Sequence, residues 1–216
     1  MKIKHLLLLA VTLLLLTSCT DTTRRGTRLG DDFINTWRAT GDLARVVAEH
    51  DAVVDSLTFG WQAGIVNNAF IERVESAGND TMSVAARAIA LGTDAFAEHY
   101  ASQLIETLLN DDNFTPEQAG AQLTLVYTAL GRVGRADLAE VYHISLDRLT
   151  RELPFDKQMR VYARAATPAE LGRQLAAERK LPGVDTTEIN HRFDALQHIY
   201  DDAQMVACRA AYEANR

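Results

Sequence analysis

Two Glu-x-x-His sequences, Glu140 to His143 and Glu188 to His191, have the residue types and spacing best suited to metal chemistry in this chain. A carboxylate and an imidazole three apart share one side of a helix. Two such pairs pointing into one bundle, with a Glu from each of two further helices, hold a pair of metal ions. Facing decides whether these pairs can do so. Leu138, Val141, Tyr142, Ser145 and Leu149 make one apolar face. A step of about 100° per residue then turns Glu140 and His143 toward solvent. Farther on, Ile189, Phe193, Leu196, Tyr200, Ala203 and Ala207 define a buried face from which His191 points away.

That outward side carries His191, Asp194, His198 and Asp201. Asp194 and His198, four apart, have the reach to share one transition-metal ion, but a solvated polar face is the simpler expectation. No metal site is expected. The sequence has no Gly-rich phosphate loop, no nucleophile elbow and no His-Glu-x-x-His, so no catalytic residue and no cofactor are expected either. Trp37 and Trp61 sit among aliphatic residues at helical spacing and are expected in the core rather than along a ligand cleft. Cys208, flanked by Ala and Val, is expected to be a small buried hydrophobe.

The elements that carry these residues are helical. Beyond Asp31 apolar residues recur at three and four, with no run of strict alternation, which predicts an all-α fold. Thr115-Pro116-Glu117-Gln118 and Thr167-Pro168-Ala169-Glu170 each put Thr at a cap, Pro at the first helical position and Gln or Glu three residues after the cap. Helices are predicted near 116–131, 137–151, 155–166, 168–180 and 186–213, preceded by others near 32–39, 42–57, 65–75, 82–91 and 94–109. The stretch 58–64, with Phe59, Gly60, Trp61 and Gly64, predicts a bend whose aromatic residues pack inward. Short connections predict antiparallel helical hairpins packed as a bundle.

Phe96-Ala97-Glu98-His99-Tyr100 with Leu104 matches Leu138-Ala139-Glu140-Val141-Tyr142 with Leu146, and each follows an Ala-Leu-Gly. The unit from Thr115 to Pro154 resembles a helical hairpin of the tetratricopeptide type. Ala139 suits its second helix, Tyr127 stands where that pattern has a small residue, and the final Pro is displaced. The resemblance implies a short TPR-like array as the alternative to a bundle.

Lys2 and Lys4 precede an apolar run, Leu6 to Leu16, interrupted only by Thr12. The run is shorter than the roughly 20 residues that cross a bilayer and has the length of a signal-peptide core. Leu16-Thr17-Ser18-Cys19, at its end, resembles the lipobox of bacterial lipoprotein precursors. Over residues 1–19 the resemblance implies a signal peptide, 1–18, cleaved before a Cys19 that carries a diacylglyceryl group and an acylated amino terminus. The protein would then be tied to a membrane through Cys19. Thr20 stands where an Asp resembles an inner-membrane retention signal, which leans toward the outer membrane.

Residues 19–30, polar with two glycines, are expected to be a lipidated flexible tether whose Arg24, Arg25 and Arg28 lie within reach of anionic head groups. Residues 31–216 are expected to form a single all-α domain. Loss of Lys2 and Lys4 with the leader takes the net charge from −7 to −9, which excludes nucleic acid as a partner. The expected function is a membrane-anchored envelope lipoprotein that serves as a protein-interaction or assembly module with an envelope protein partner. A helical ligand-, peptide- or glycan-binding lipoprotein is the alternative, and an enzyme comes last.

Overall fold

The structure, a computed structural model, describes the backbone of residues 2–92 and 94–216 and the side chains from Thr20 onward, Thr93 apart. Among the described residues it is all helix and turn. The order is α1 (Lys2–Ala39), α2 (Ala44–Asp55), α3 (Gly60–Glu75), α4 (Asp80–Leu91), α5 (Asp94–Asn110), α6 (Pro116–Arg132), α7 (Ala136–Arg151), α8 (Phe155–Ala165), α9 (Pro168–Arg179), α10 (Thr186–Leu196) and α11 (Asp202–Asn215). The all-α expectation is met. Caps set several of these starts: the side chains of Asn79, Thr167 and Asp185 accept from the backbone N–H of Met82, Glu170 and Glu188.

Where one domain over 31–216 is expected, the chain divides into two compact units. The first comprises Met1–Phe96 and Leu125–Ala139, the second Ala97–Thr124 and Glu140–Arg216. In the first unit the polar stretch expected to be a tether continues helix α1 and docks on α3. Thr22, Gly26, Leu29, Gly30 and Phe33 are buried there, a stripe with helical spacing whose glycines serve as contact surface rather than as breaks. A Cβ on Gly26 would stand 2.4 Å from the Val66 carbonyl oxygen, and one on Gly30 would stand 2.7 Å from the Arg73 side chain. Backbones approach this closely only where a side chain is missing. Asp31 accepts a hydrogen bond from Arg73 Nε at 2.7 Å, and Phe33 meets Phe70 edge to face with centroids 5.7 Å apart.

His50, buried on α2, links three helices of this unit. Asn67 donates its amide to the Ala90 carbonyl at 3.1 Å, so its Oδ1 accepts from His50 Nε2–H at 2.8 Å.

In the second unit Met159, Leu171, Leu175, Ile189, Phe193 and Leu196 form one core cluster, and Leu104, Leu108, Ala119 and Val161 form another. α9 crosses α11 at Gly172, where a Cβ would lie 2.2 Å from the Cys208 carbonyl oxygen. Arg164 donates to the Leu108 carbonyl at 2.7 Å and, with Arg160, grips Asp112. This closes the orphan carbonyl end of α5.

The helix expected to run from 186 to 213 is broken at 197–201. Asp201 caps α11: its side chain accepts from Gln204 N–H at 2.8 Å, while Gln204 Oε1 accepts from Asp201 N–H at 3.0 Å. The reciprocal pair favours a new start over continuation. It also resets the phase of burial, so Met205, Cys208 and Tyr212 are buried and Ala203 and Ala207 are exposed.

Candidate functional site

Each of the residues with metal-ligand spacing occupies a place where it serves the fold or the solvent. Glu140 and His143 on α7, and Glu188 and His191 on α10, are exposed, as the facing argument requires. Glu188 accepts from Arg192 at 3.1 Å. The His191 ring lies flat on Phe155, with centroids 4.2 Å apart and planes 5° from parallel. Asp201 caps α11, so it does not continue a stripe with His191, Asp194 and His198. Among the described residues no group of three or more His, Cys, Asp or Glu side chains is placed to hold a metal ion.

Cys208 is buried and free, and burial pushes its thiol up to about 11; a thiol held protonated within an apolar core cluster is a poor nucleophile. Cys19 lies outside the residues whose side chains are described.

The two tryptophans differ. Trp37 is half-buried, with the Arg132 guanidinium carbon 4.2 Å above its ring and Phe33 at 5.6 Å, an arrangement of charge over a ring quadrupole. Trp61 and Phe59, expected to face inward, are 46% and 56% exposed. Their rings stack with centroids 6.2 Å apart and planes 13° from parallel. The reason is their position. Phe59 stands just before the first turn of α3, and the buried stripe of that helix begins only at Gln62 and Val66.

Two clefts open in the second unit. The first, about 650 Å³, runs between α5, α7 and α8. Ile105, Leu109, Leu149 and Leu153 supply its apolar floor, with Glu152 and Lys157 on its rim. The second, about 630 Å³, lies among α7, α8, α9 and α10 over Met159, Leu171 and Leu175. At its polar end Arg192 donates to Glu178 at 2.8 Å and to Glu188, while its Nε is buried with no partner among the described residues. Tyr162 beside it has a hydroxyl pushed above its ordinary value, chiefly by burial. Both volumes fall in the range of small-molecule sites, and both linings mix apolar residues with a few convergent polar groups.

Sequence reasoning missed both clefts. The first is walled by α5 and by α7 and α8, which α6 separates from it in the chain, and its Leu149 belongs to the apolar face read on α7; the second is walled by four consecutive helices, and only their packing opens it. Comparison with family models, curated proteins and solved structures finds no match.

Proposed function

We propose that this protein is a membrane-anchored envelope lipoprotein that serves as a protein-interaction or assembly module. It is held through acylated Cys19 and presents helical-hairpin surfaces to a protein partner in the same envelope. The observation that carries the reading is the lipobox Leu16-Thr17-Ser18-Cys19 followed at once by a helix that docks on α3. Acyl chains on Cys19 would then hold a body that begins at the membrane rather than one on a loose tether.

The groove between α5, α7 and α8 supports the second half of the reading. Its apolar floor and charged rim suit the apolar face of a partner helix, which such grooves take up through anchors at three- and four-residue spacing. Confinement to one membrane raises the effective concentration for a partner in that membrane without any new contact.

The test has two arms. Cys19→Ala should leave an unacylated protein that no longer floats with membranes. A photo-crosslinker at Glu152 on the groove rim should give a discrete protein adduct in the intact envelope, lost in Leu109→Glu. Equal partitioning of the Cys19 variant counts against the anchor. An adduct that also forms from exposed Val206 counts against the groove.

The cleft over Met159 and Leu175 favours a second reading, a ligand- or peptide-binding lipoprotein, because it pairs an apolar floor with Arg192 and Tyr162. Native mass spectrometry of protein purified from its own membrane distinguishes the two: a co-purifying small molecule lost in Leu175→Trp favours the ligand reading.

A further inference from the structure

The register of α1 on α3 brings the exposed aromatic pair beside the backbone that follows Cys19. Gly26 faces Val66 and Ala69, and Gly30 faces Phe70 and Arg73, so the two helices run parallel with an offset of 40 to 43 residues. Carried back toward the amino terminus, that offset sets Thr20, the residue after Cys19, opposite Gly60 to Ala63. Thr22 and Gln62 are both buried, at 3% and 9% exposure, which fits continued pairing at this level. The start of α3, with Phe59 and Trp61, therefore stands beside the acylation position.

The pair is built to stay exposed. Gln62, itself buried, accepts from the Phe59 backbone N–H at 3.1 Å, and the Ser56 hydroxyl donates to the Val53 carbonyl at 2.7 Å. Both ends of the connection from α2 to α3 are thus tied down, and the two rings stack on one another rather than folding into the core. Large amphipathic rings of this kind are favoured at the level of lipid head groups, where the body is apolar and the indole N–H finds water.

The charge nearby agrees. Arg24 and Arg28 are exposed on α1, about 6 Å and 12 Å beyond Thr20 at the helical rise, and Asp21 is paired with Arg25 at 2.9 Å. Asp51 and Asp55, both exposed in the last turns of α2, are opposing charges.

We propose that Phe59 and Trp61 form a second membrane contact, inserting into the head-group layer beside the acyl anchor, with Arg24 and Arg28 facing the lipid phosphates. The inference rests on acylation of Cys19. One covalent attachment point leaves the body free to tilt and spin, and a second contact on the same edge sets which face meets the bilayer. The occupant is the lipid surface rather than a protein, because acyl chains on the neighbouring residue would already hold this edge against it.

The test uses the full protein purified from its own membrane with Trp37→Phe, so that Trp61 is the sole tryptophan. It is reconstituted in vesicles of phosphatidylethanolamine and phosphatidylglycerol. Trp61 emission should shift to the blue relative to detergent-free, delipidated protein, lose its accessibility to acrylamide, and be quenched by lipids brominated near the head group. The double variant Phe59→Ser, Trp61→Ser should fold as wild type, since both rings are exposed, and should float with membranes. It should also lose the protection of Arg24 against trypsin that vesicles confer.

Emission that stays red and open to acrylamide in vesicle-bound protein overturns the proposal. So does shielding in the native envelope without quenching by brominated lipid, which would mean that a protein covers the pair. Mass spectrometry of the same sample separates the two readings. An unacylated Cys19 removes the anchor and this contact together, whereas an acylated Cys19 with an unshifted Trp61 removes the contact alone.

Discussion

At the scale of single residues, three glycines that look alike in the sequence do different work. Gly26 and Gly172 each stand where a Cβ would collide with a backbone carbonyl, of Val66 and of Cys208, whereas the Cβ position of Gly64, inside α3, has no atom within 4 Å. A neighbouring backbone cannot step aside as a long side chain can. Gly26→Ala and Gly172→Ala are therefore expected to destabilise by about 1–3 kcal/mol in urea unfolding. Gly64→Ala should stabilise by about 0.5–1 kcal/mol, because it removes unfolded-state freedom without a clash. If all three shift the same way, close helix approach is not what selects glycine here.

Asp112 makes a second residue-level prediction. The Arg164 hydrogen bond, and then the charges of Arg160 and Arg164, hold its carboxyl below the ordinary value of 3.8. A group depressed in the folded state contributes stability that is complete above its unfolded value and is lost as pH falls through the folded one. Asp112→Asn should thus lower the urea midpoint at pH 7, and the gap from wild type should close as the pH falls below the ordinary carboxylate range. A gap that persists at the lowest pH would assign the effect to something other than ionisation.

Among the elements, α1 and the pair α10 and α11 behave differently from their local pattern. Residues 20–30 hold two glycines and many polar side chains, yet they form the part of α1 that covers Val66, Ala69 and Phe70 on α3. A chain beginning at residue 31 is therefore expected to lose the cooperative unfolding of the first unit, which hydrogen exchange at α3 amides would report as loss of protection. Protection equal to that of the full chain would show that the α1 stripe is dispensable.

The start of α11 depends on Asp201 and Gln204. Asp201→Ala should cost about 1 kcal/mol in thermal or chemical unfolding, the usual loss of an N-cap. How far these features were legible follows from their range. Caps at Thr167 and Asp185 act within three residues and can be read directly. The cap at Asp201, Asp-x-x-Gln, has the same spacing of three as Thr-x-x-Glu at Thr167 and Asp-x-x-Glu at Asp185, but it lies inside a continuous apolar rhythm that masked it. The α1 stripe was legible as spacing at 22, 26, 29, 30 and 33 only to a reader who counted glycine as a contact residue.

For the whole molecule, the proposed reading implies that a helical rather than flexible entry sets the body's position at the membrane by structure. A flexible insertion of ten residues between Cys19 and Thr20 would let the body rise by up to about 36 Å. On the proposed reading such a protein should still float with membranes while losing the lipid contact of Trp61, seen as renewed acrylamide access. If Trp61 stays shielded from acrylamide and quenched by brominated lipid despite the insertion, the aromatic pair binds lipid without help from the anchor's register.

What the sequence determined by itself is what depends on nearest neighbours along the chain. It determined the helical class, the extent of most helices, the outward facing of Glu140, His143 and His191, and the burial of Cys208, because periodicity and capping act within a turn or two. Tertiary structure alone decided the rest. Gly26 and Gly172 became contact points because a second helix passes within reach of their backbones. Phe59 and Trp61 remained exposed because the buried stripe of α3 starts one turn later. Leu109, Leu149 and Leu153 line a groove because helices distant in the chain meet there without closing over them. For the glycines and the groove the deciding atom belongs to a residue tens of positions away, and local pattern carries no record of it.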